Sequence, residues 1–141
     1  MRRSSSRTVL VILVMALAAW ACGDDAPQSP ASPTDPVPTT VTETFSGTLT
    51  VNGAATFPFS TLAGTVTANL TSLGPDSTLA ISMSLGTWSG TVCQIVLAND
   101  AAVQGSTVVG TASTASSLCV RVLDVGNLVE PLPFVVTVVH P

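Results

Sequence analysis

The sequence has no lysine and no tyrosine, a single histidine, and only 9% charged residues. All four of its bases are arginines, and three of them, Arg2, Arg3 and Arg7, crowd the N-terminus. Beyond that stretch only Arg121 stands against eight acids, a balance that repels phosphate backbones and excludes nucleic acid as a partner. The absence of tyrosine, with four phenylalanines and two tryptophans as the whole aromatic complement, removes the aromatic girdles of a transmembrane β-barrel. His140 alone cannot make a paired-histidine metal motif, and no G-x-S-x-G or H-E-x-x-H run accompanies it. It lies next to the last residue, where a fraying end would hold a catalytic base poorly.

Long hydrophobic runs are also missing, with one short exception at residues 9–21. As a helix that run would cover about 20 Å of a hydrocarbon core about 30 Å thick, which is too little for a stable span. Arginines before it, an uncharged centre and small residues at its close make the three-part layout of a secretory signal, with the chain after it exported. Leu17-Ala18-Ala19-Trp20-Ala21 leads directly into Cys22. This junction resembles the lipobox of bacterial lipoproteins, and the resemblance implies cleavage before Cys22 and a diacylglycerol on its sulfur. Ala19 departs from the pattern, which most often has leucine there. A secreted protein with an incidental cysteine is the alternative. Gly23, in place of aspartate, is compatible in that family with forwarding to the outer membrane.

The residues after Cys22 are poor in everything a core needs. Between Asp24 and Thr40 lie Pro27, Pro30, Pro33, Pro36 and Pro38, with Val37 the only sizeable apolar side chain. Proline removes backbone donors and fixes φ, so the stretch reads as an extended tether reaching roughly 50 Å at about 3.1 Å per residue. The expected organisation is a signal peptide at 1–21, an acylated cysteine plus tether at 22–40, and one folded domain at 41–141.

From Thr44 onward the hydrophobic period is two. Phe45, Gly47, Leu49 and Val51 alternate with Thr44, Ser46, Thr48 and Thr50, and the same alternation runs through residues 65–71 and 78–85. Further strands are expected at 91–98, 106–111, 117–125 and 133–140, with a short edge piece at 56–59. Turn chemistry falls at Asn52-Gly53, Gly74-Pro75-Asp76, Asn99-Asp100 and Gly126-Asn127. About seven to eight half-buried strands with a threonine-rich solvent face, and no helical period, predict an all-β antiparallel β-sandwich of jelly-roll type.

Phe57-Pro58-Phe59, Ala63-Gly64-Thr65-Val66, Leu79-Ala80-Ile81, Leu118-Cys119-Val120-Arg121-Val122 and Phe134-Val135-Val136-Thr137-Val138 follow one another in the order of the bacterial pre-peptidase C-terminal domain. The stretch 57–141 resembles that family, which implies a jelly-roll-like sandwich acting as an accessory module. Leu118-Cys119 stands where the family has an aromatic residue.

Few residues carry candidate chemistry. Cys93 and Cys119 can pair in an oxidising compartment, and closing their loop contributes roughly 3.5 kcal/mol in the chain-entropy model. A metal site or free buried thiols are the alternatives. Parity leaves their facing open: Cys93 aligns with Ile95 and Leu97, whereas Cys119 aligns with Arg121 rather than with Val120 and Val122, which would set a bridge on the outer face of its sheet. The pairing leaves Cys22 odd, as a lipidated sulfur would be. Asp76, Asp100 and Asp124 fall at or near strand ends, where they would converge on calcium or, as solvated turn residues, bond their own backbone. Trp88 reads either as a stacking platform for a sugar ring or as a core plug. Arg121 is expected to pair with Asp124 or Glu130. The function these features imply is a lipid-anchored, non-catalytic module of the bacterial cell envelope, at the outer membrane or facing the periplasm. Its partners are the membrane and a polysaccharide or envelope protein; a carbohydrate- or calcium-binding accessory module is the alternative.

Overall fold

A computed structural model describes residues 39–141; the signal, Cys22 and nearly all of the tether lie outside the described residues. Eight strands follow in order: β1 Val41–Leu49, β2 Ala54–Thr61, β3 Gly64–Leu73, β4 Ile81–Trp88, β5 Cys93–Ala102, β6 Thr107–Ala112, β7 Ser116–Leu123 and β8 Leu132–His140. They form two four-stranded antiparallel sheets, β1-β8-β3-β6 and β2-β7-β4-β5. The pairing is nested: β1 with β8, β2 with β7, β3 with β6 and β4 with β5. A long two-stranded ribbon wound over itself gives this order, and it is the jelly roll. Neighbouring strands run in opposite directions, so the loops divide between two ends. The chain enters at Val41 on the same end as the 62–63, 89–92 and 113–115 connections. The 50–53, 74–80, 103–106 and 124–131 connections form the other end.

Alternation explains the core. Val66, Ala68 and Leu70 of β3 and Phe134, Val136 and Val138 of β8 point inward from one sheet. Ile81, Met83, Leu85, Val120 and Val122 meet them from the other. The phenylalanines gather on the β1/β2 side: Phe45 stacks on Phe57 with centroids 5.2 Å apart, and Phe57 meets Phe134 edge-on at 6.1 Å.

β4 departs from the half-buried expectation. From Ile81 to Gly86 every residue is buried, because β7 and β5 flank the strand and its outward residues are small. Their hydroxyls are satisfied locally: Ser82 Oγ donates to Asp100 Oδ1 at 2.7 Å, and Ser84 Oγ to the Arg121 carbonyl at 3.3 Å.

The turn expected at Asn99-Asp100 is not a chain reversal. β5 continues to Ala102, and the pair sits in a β-bulge where the register with β4 slips between Ile81 and Met83. Asn99 Oδ1 accepts from the Ala101 amide at 3.1 Å, so the local side-chain chemistry kinks the strand without ending it. The reversal comes at 103–106, where Ser106 N donates to the Val103 carbonyl at 2.9 Å and Gly105 takes a φ of 89°.

Candidate functional site

The disulfide is formed. Cys93 and Cys119 are joined at 2.05 Å, with Cα atoms 5.8 Å apart. Cys119 alternates with the inward Val120 and Val122, so the bridge lies on the outer face of the β2-β7-β4-β5 sheet. It links β5 to β7 across the end of β4, where Gly86 is opposite Cys119. A Cβ at Gly86 would collide with the Gln94 carbonyl, so only glycine lets β5 approach closely enough there.

Beside the bridge is a groove of about 310 Å³, lined by Ala54, Thr56, Trp88, Thr91, Val92 and Arg121 together with Cys93. Trp88 ends β4 and is half-buried. The turn that follows is closed by Ser89, whose amide donates to the Val92 carbonyl at 3.0 Å and whose Oγ accepts from the Val92 amide at 3.2 Å. The core-plug reading of Trp88 is therefore corrected: the position shares the outward parity of Ser84 and Gly86, and phenylalanines fill the interior instead. Arg121 sits on β7 between Thr56 and Ser84 in register. Its expected pairing with Asp124 or Glu130 does not occur. Among the described residues the one ion pair is His140–Glu43, and Asp124 spends both oxygens on backbone amides. Arg121 is thus a half-buried cation facing the groove without a carboxylate partner among the described residues, a conjunction with Trp88 that sequence reading missed because the two lie on different strands.

The three aspartates do not converge. Asp76 Oδ1 accepts from the Thr78 amide at 2.9 Å and the Thr78 hydroxyl at 2.7 Å. That hydroxyl, then the amide, holds the Asp76 carboxyl below the ordinary carboxylate value. Asp100 is bonded to Ser82. Asp124 Oδ1 accepts from the amides of Gly126, Asn127 and Leu128 at 2.9, 3.0 and 3.2 Å, while Oδ2 accepts from Asn52 at 2.7 Å. These donors, Asn52 foremost, pull its pKa down. Among the described residues no group of three histidine, cysteine or acidic side chains is placed to share a metal ion.

His140 is not on a fraying end. β8 runs to it, paired with Val41 of β1, and the residue is only 2% exposed. Nε2 is 3.0 Å from Glu43 Oε1 and Nδ1 is 3.1 Å from the Pro141 carbonyl, with the ring 5.2 Å from Phe59. Both nitrogens lie within hydrogen-bond distance of these oxygens, and no hydroxyl among the described residues hydrogen-bonds to either. A larger depression of about 550 Å³, lined by Thr39, Val41, Thr61, Ser116, Ser117 and Pro141 among others, has no charged or aromatic side chain among the described residues that line it.

No protein-family model matches this chain, and no curated protein matches it.

Proposed function

We propose that this chain is an exported, lipid-anchored, non-catalytic β-sandwich module of the bacterial cell envelope. The observation that carries the reading is the N-terminal junction: three arginines, an apolar run too short to span, and Cys22 after small residues. The Cys93–Cys119 bridge supports it, since such bonds persist in oxidising compartments and this one consumes every other cysteine. Acyl chains on Cys22 hold the protein at the bilayer, and more than one is needed for durable anchoring. The proline-rich stretch gives reach. In this reading the loops offered to a partner are those at 50–53, 74–80, 103–106 and 124–131, at the end of the domain opposite Val41. The resemblance to the pre-peptidase C-terminal domain fits an accessory role, its motif stretches falling on or just before β2, β3, β4, β7 and β8. Replacing Cys22→Ser is expected to move the protein from the membrane pellet to the soluble fraction; a variant that still pellets would refute anchoring through this sulfur.

A second reading, favoured by the outward placement of Trp88, makes the groove a saccharide site. An aromatic face beside a guanidinium that no carboxylate among the described residues pairs suits a sugar carrying a carboxylate, with the ring on Trp88 and the acid on Arg121. In a Trp20→Phe chain Trp88 alone reports. Iodide quenching that is relieved by an oligouronide, and restored in Arg121→Gln, is the expected result. Emission that iodide does not quench, or that the oligouronide leaves unchanged, would sink this reading without touching the first.

A further inference from the structure

The reversal between β1 and β2 calls for a chemically labile pair. A Cβ at Gly53 would collide with the Thr50 hydroxyl and crowd the Thr50 carbonyl, which is why glycine stands there. Asn52 sits at a φ of 55°, a left-handed conformation that asparagine is among the few residues to tolerate. Asparagine is thermolabile, and most so before glycine, where no side chain hinders attack of the next backbone nitrogen on its Cγ.

The other three asparagines of the chain are better protected. Asn69 and Asn127 precede buried leucines whose amides are engaged, Leu70 N donating to the Ser106 carbonyl at 2.9 Å and Leu128 N to Asp124 Oδ1 at 3.2 Å. Asn127 Nδ2 donates to the Ala80 carbonyl at 2.9 Å, and Asn99 Oδ1 accepts from the Ala101 amide at 3.1 Å inside β5. Asn52 is exposed, and among the described residues it is held through its backbone amide. One contact restrains the reaction there: Gly53 N, the nucleophile, donates to the Thr50 carbonyl at 2.8 Å. That bond closes a surface turn, and such bonds open without unfolding the sheets behind them.

We propose that Asn52 is a site of spontaneous self-modification, deamidating through a cyclic imide at a rate set by opening of the Thr50–Gly53 turn. The Gly53 nitrogen bonds to Asn52 Cγ, and the side-chain nitrogen leaves as ammonia, carrying the proton that Gly53 gives up. Water then adds to one of the two imide carbonyls and a C–N bond breaks. Attack at the side-chain carbonyl gives aspartate; attack at the backbone carbonyl gives isoaspartate, with the chain now running through Cβ. No electrons change hands.

The product matters because of what grips this residue. The Asn52 amide donates to Asp124 Oδ2, and Asp124 is held ionised by that bond and by the amides of Gly126, Asn127 and Leu128. Aspartate at 52 sets a second negative charge on the residue that Asp124 grips. Isoaspartate lengthens the backbone between the Asn52 amide and the Gly53 carbonyl, which now bond Asp124 together. Ageing therefore loosens the β1–β2 turn from the 124–131 loop and makes that end of the domain more acidic. This inference is independent of whether Cys22 carries lipid.

The test is mass spectrometry with electron-based fragmentation on the full chain aged in mildly alkaline buffer, folded in one sample and, in another, reduced and unfolded in guanidinium chloride. The expected mass gain, that of one amide becoming one acid, falls on Asn52 before any other asparagine, includes an isoaspartate fraction, and is several-fold slower in the folded sample. The urea midpoint of the aged folded chain is expected to fall below that of fresh chain. Asn52→Gly, which keeps the left-handed turn, is expected to gain no mass there and to hold its midpoint on ageing. A gain that appears first at Asn69, Asn99 or Asn127 of the folded chain, equal rates in the two samples, a folded Asn52 still intact when the unfolded chain has converted, or a converted chain with an undiminished midpoint would overturn the proposal.

Discussion

The amide of Asn52 donates to Asp124 Oδ2 at 2.7 Å, joining residues 72 positions apart. Asn52 takes a φ of 55°, a left-handed conformation its side chain tolerates, and Asp124 N returns a hydrogen bond to the Gly53 carbonyl at 3.0 Å. The β1–β2 turn and the β7–β8 loop are thus stapled by one carboxylate. Its pKa is lowered in the folded state, chiefly by the Asn52 amide. Its stabilising contribution is therefore complete above the ordinary aspartate range and is lost as pH falls through the folded value. Asp124→Asn is expected to lower the urea midpoint at neutral pH and to narrow its gap from the wild type in acid. A gap that widens on acidification would contradict the assignment.

Removing the disulfide by Cys93→Ser with Cys119→Ser is expected to cost roughly 3.5 kcal/mol, the loop-closure value, read from urea unfolding against the oxidised wild type. The reduced wild type should fall close to the double variant. An unchanged midpoint would mean that the unfolded chain is already restricted without the bond.

At Gly86 the added methyl of an alanine would meet backbone, not a movable side chain. Gly86→Ala is expected to destabilise by about 1–3 kcal/mol, as overpacking does, and to loosen β5 first. Amide hydrogen exchange checks the location: protection should fall along β5 and at its partners on β4 before it falls in β8.

Phe134 and Trp88 should part company on truncation. Phe134 is 2% exposed and packs on Phe57, so Phe134→Ala is expected to cost about 3–5 kcal/mol. Trp88→Ala, on the outer face, should cost clearly less while abolishing any fluorescence response to an oligouronide. Equal losses would return Trp88 to a structural role.

Strand positions were legible because period-two alternation is local: Phe45 and Leu49, Val66 and Leu70, and Ile81 and Met83 each declare their face without knowledge of any partner. The disulfide's face was only half legible: the parity of Cys119 with Arg121 pointed outward, while that of Cys93 with Ile95 and Leu97 pointed the other way, because the register shift that leaves Val96 without a partner on β4 depends on pairing and not on local sequence. What was not legible depends on neighbours. Ser82 and Ser84 read as solvent-facing because nothing local says that β4 is flanked on both sides. Asn99-Asp100 has the composition of a turn, and only the continuing ladder makes it a bulge. Trp88 looked like a core residue by size, yet its position shares the outward parity of Ser84 and Gly86, which only the β4–β7 register reveals. The Trp88–Arg121 groove needed the β2-β7-β4-β5 order, which no single stretch encodes.

β8 occupies the slot between β1 and β3, and β1 has no other partner in its sheet. A ribosome delivers the chain from its N-terminus, so β1 and β3 exist for some time with their shared neighbour still unsynthesised. Half of the barrel-like stack therefore cannot zip up progressively. Closure awaits residues 132–140, and a translation product halted at Leu123 should be protease-sensitive, because its complete β2-β7-β4-β5 set then has no closed second sheet to bury its inner face.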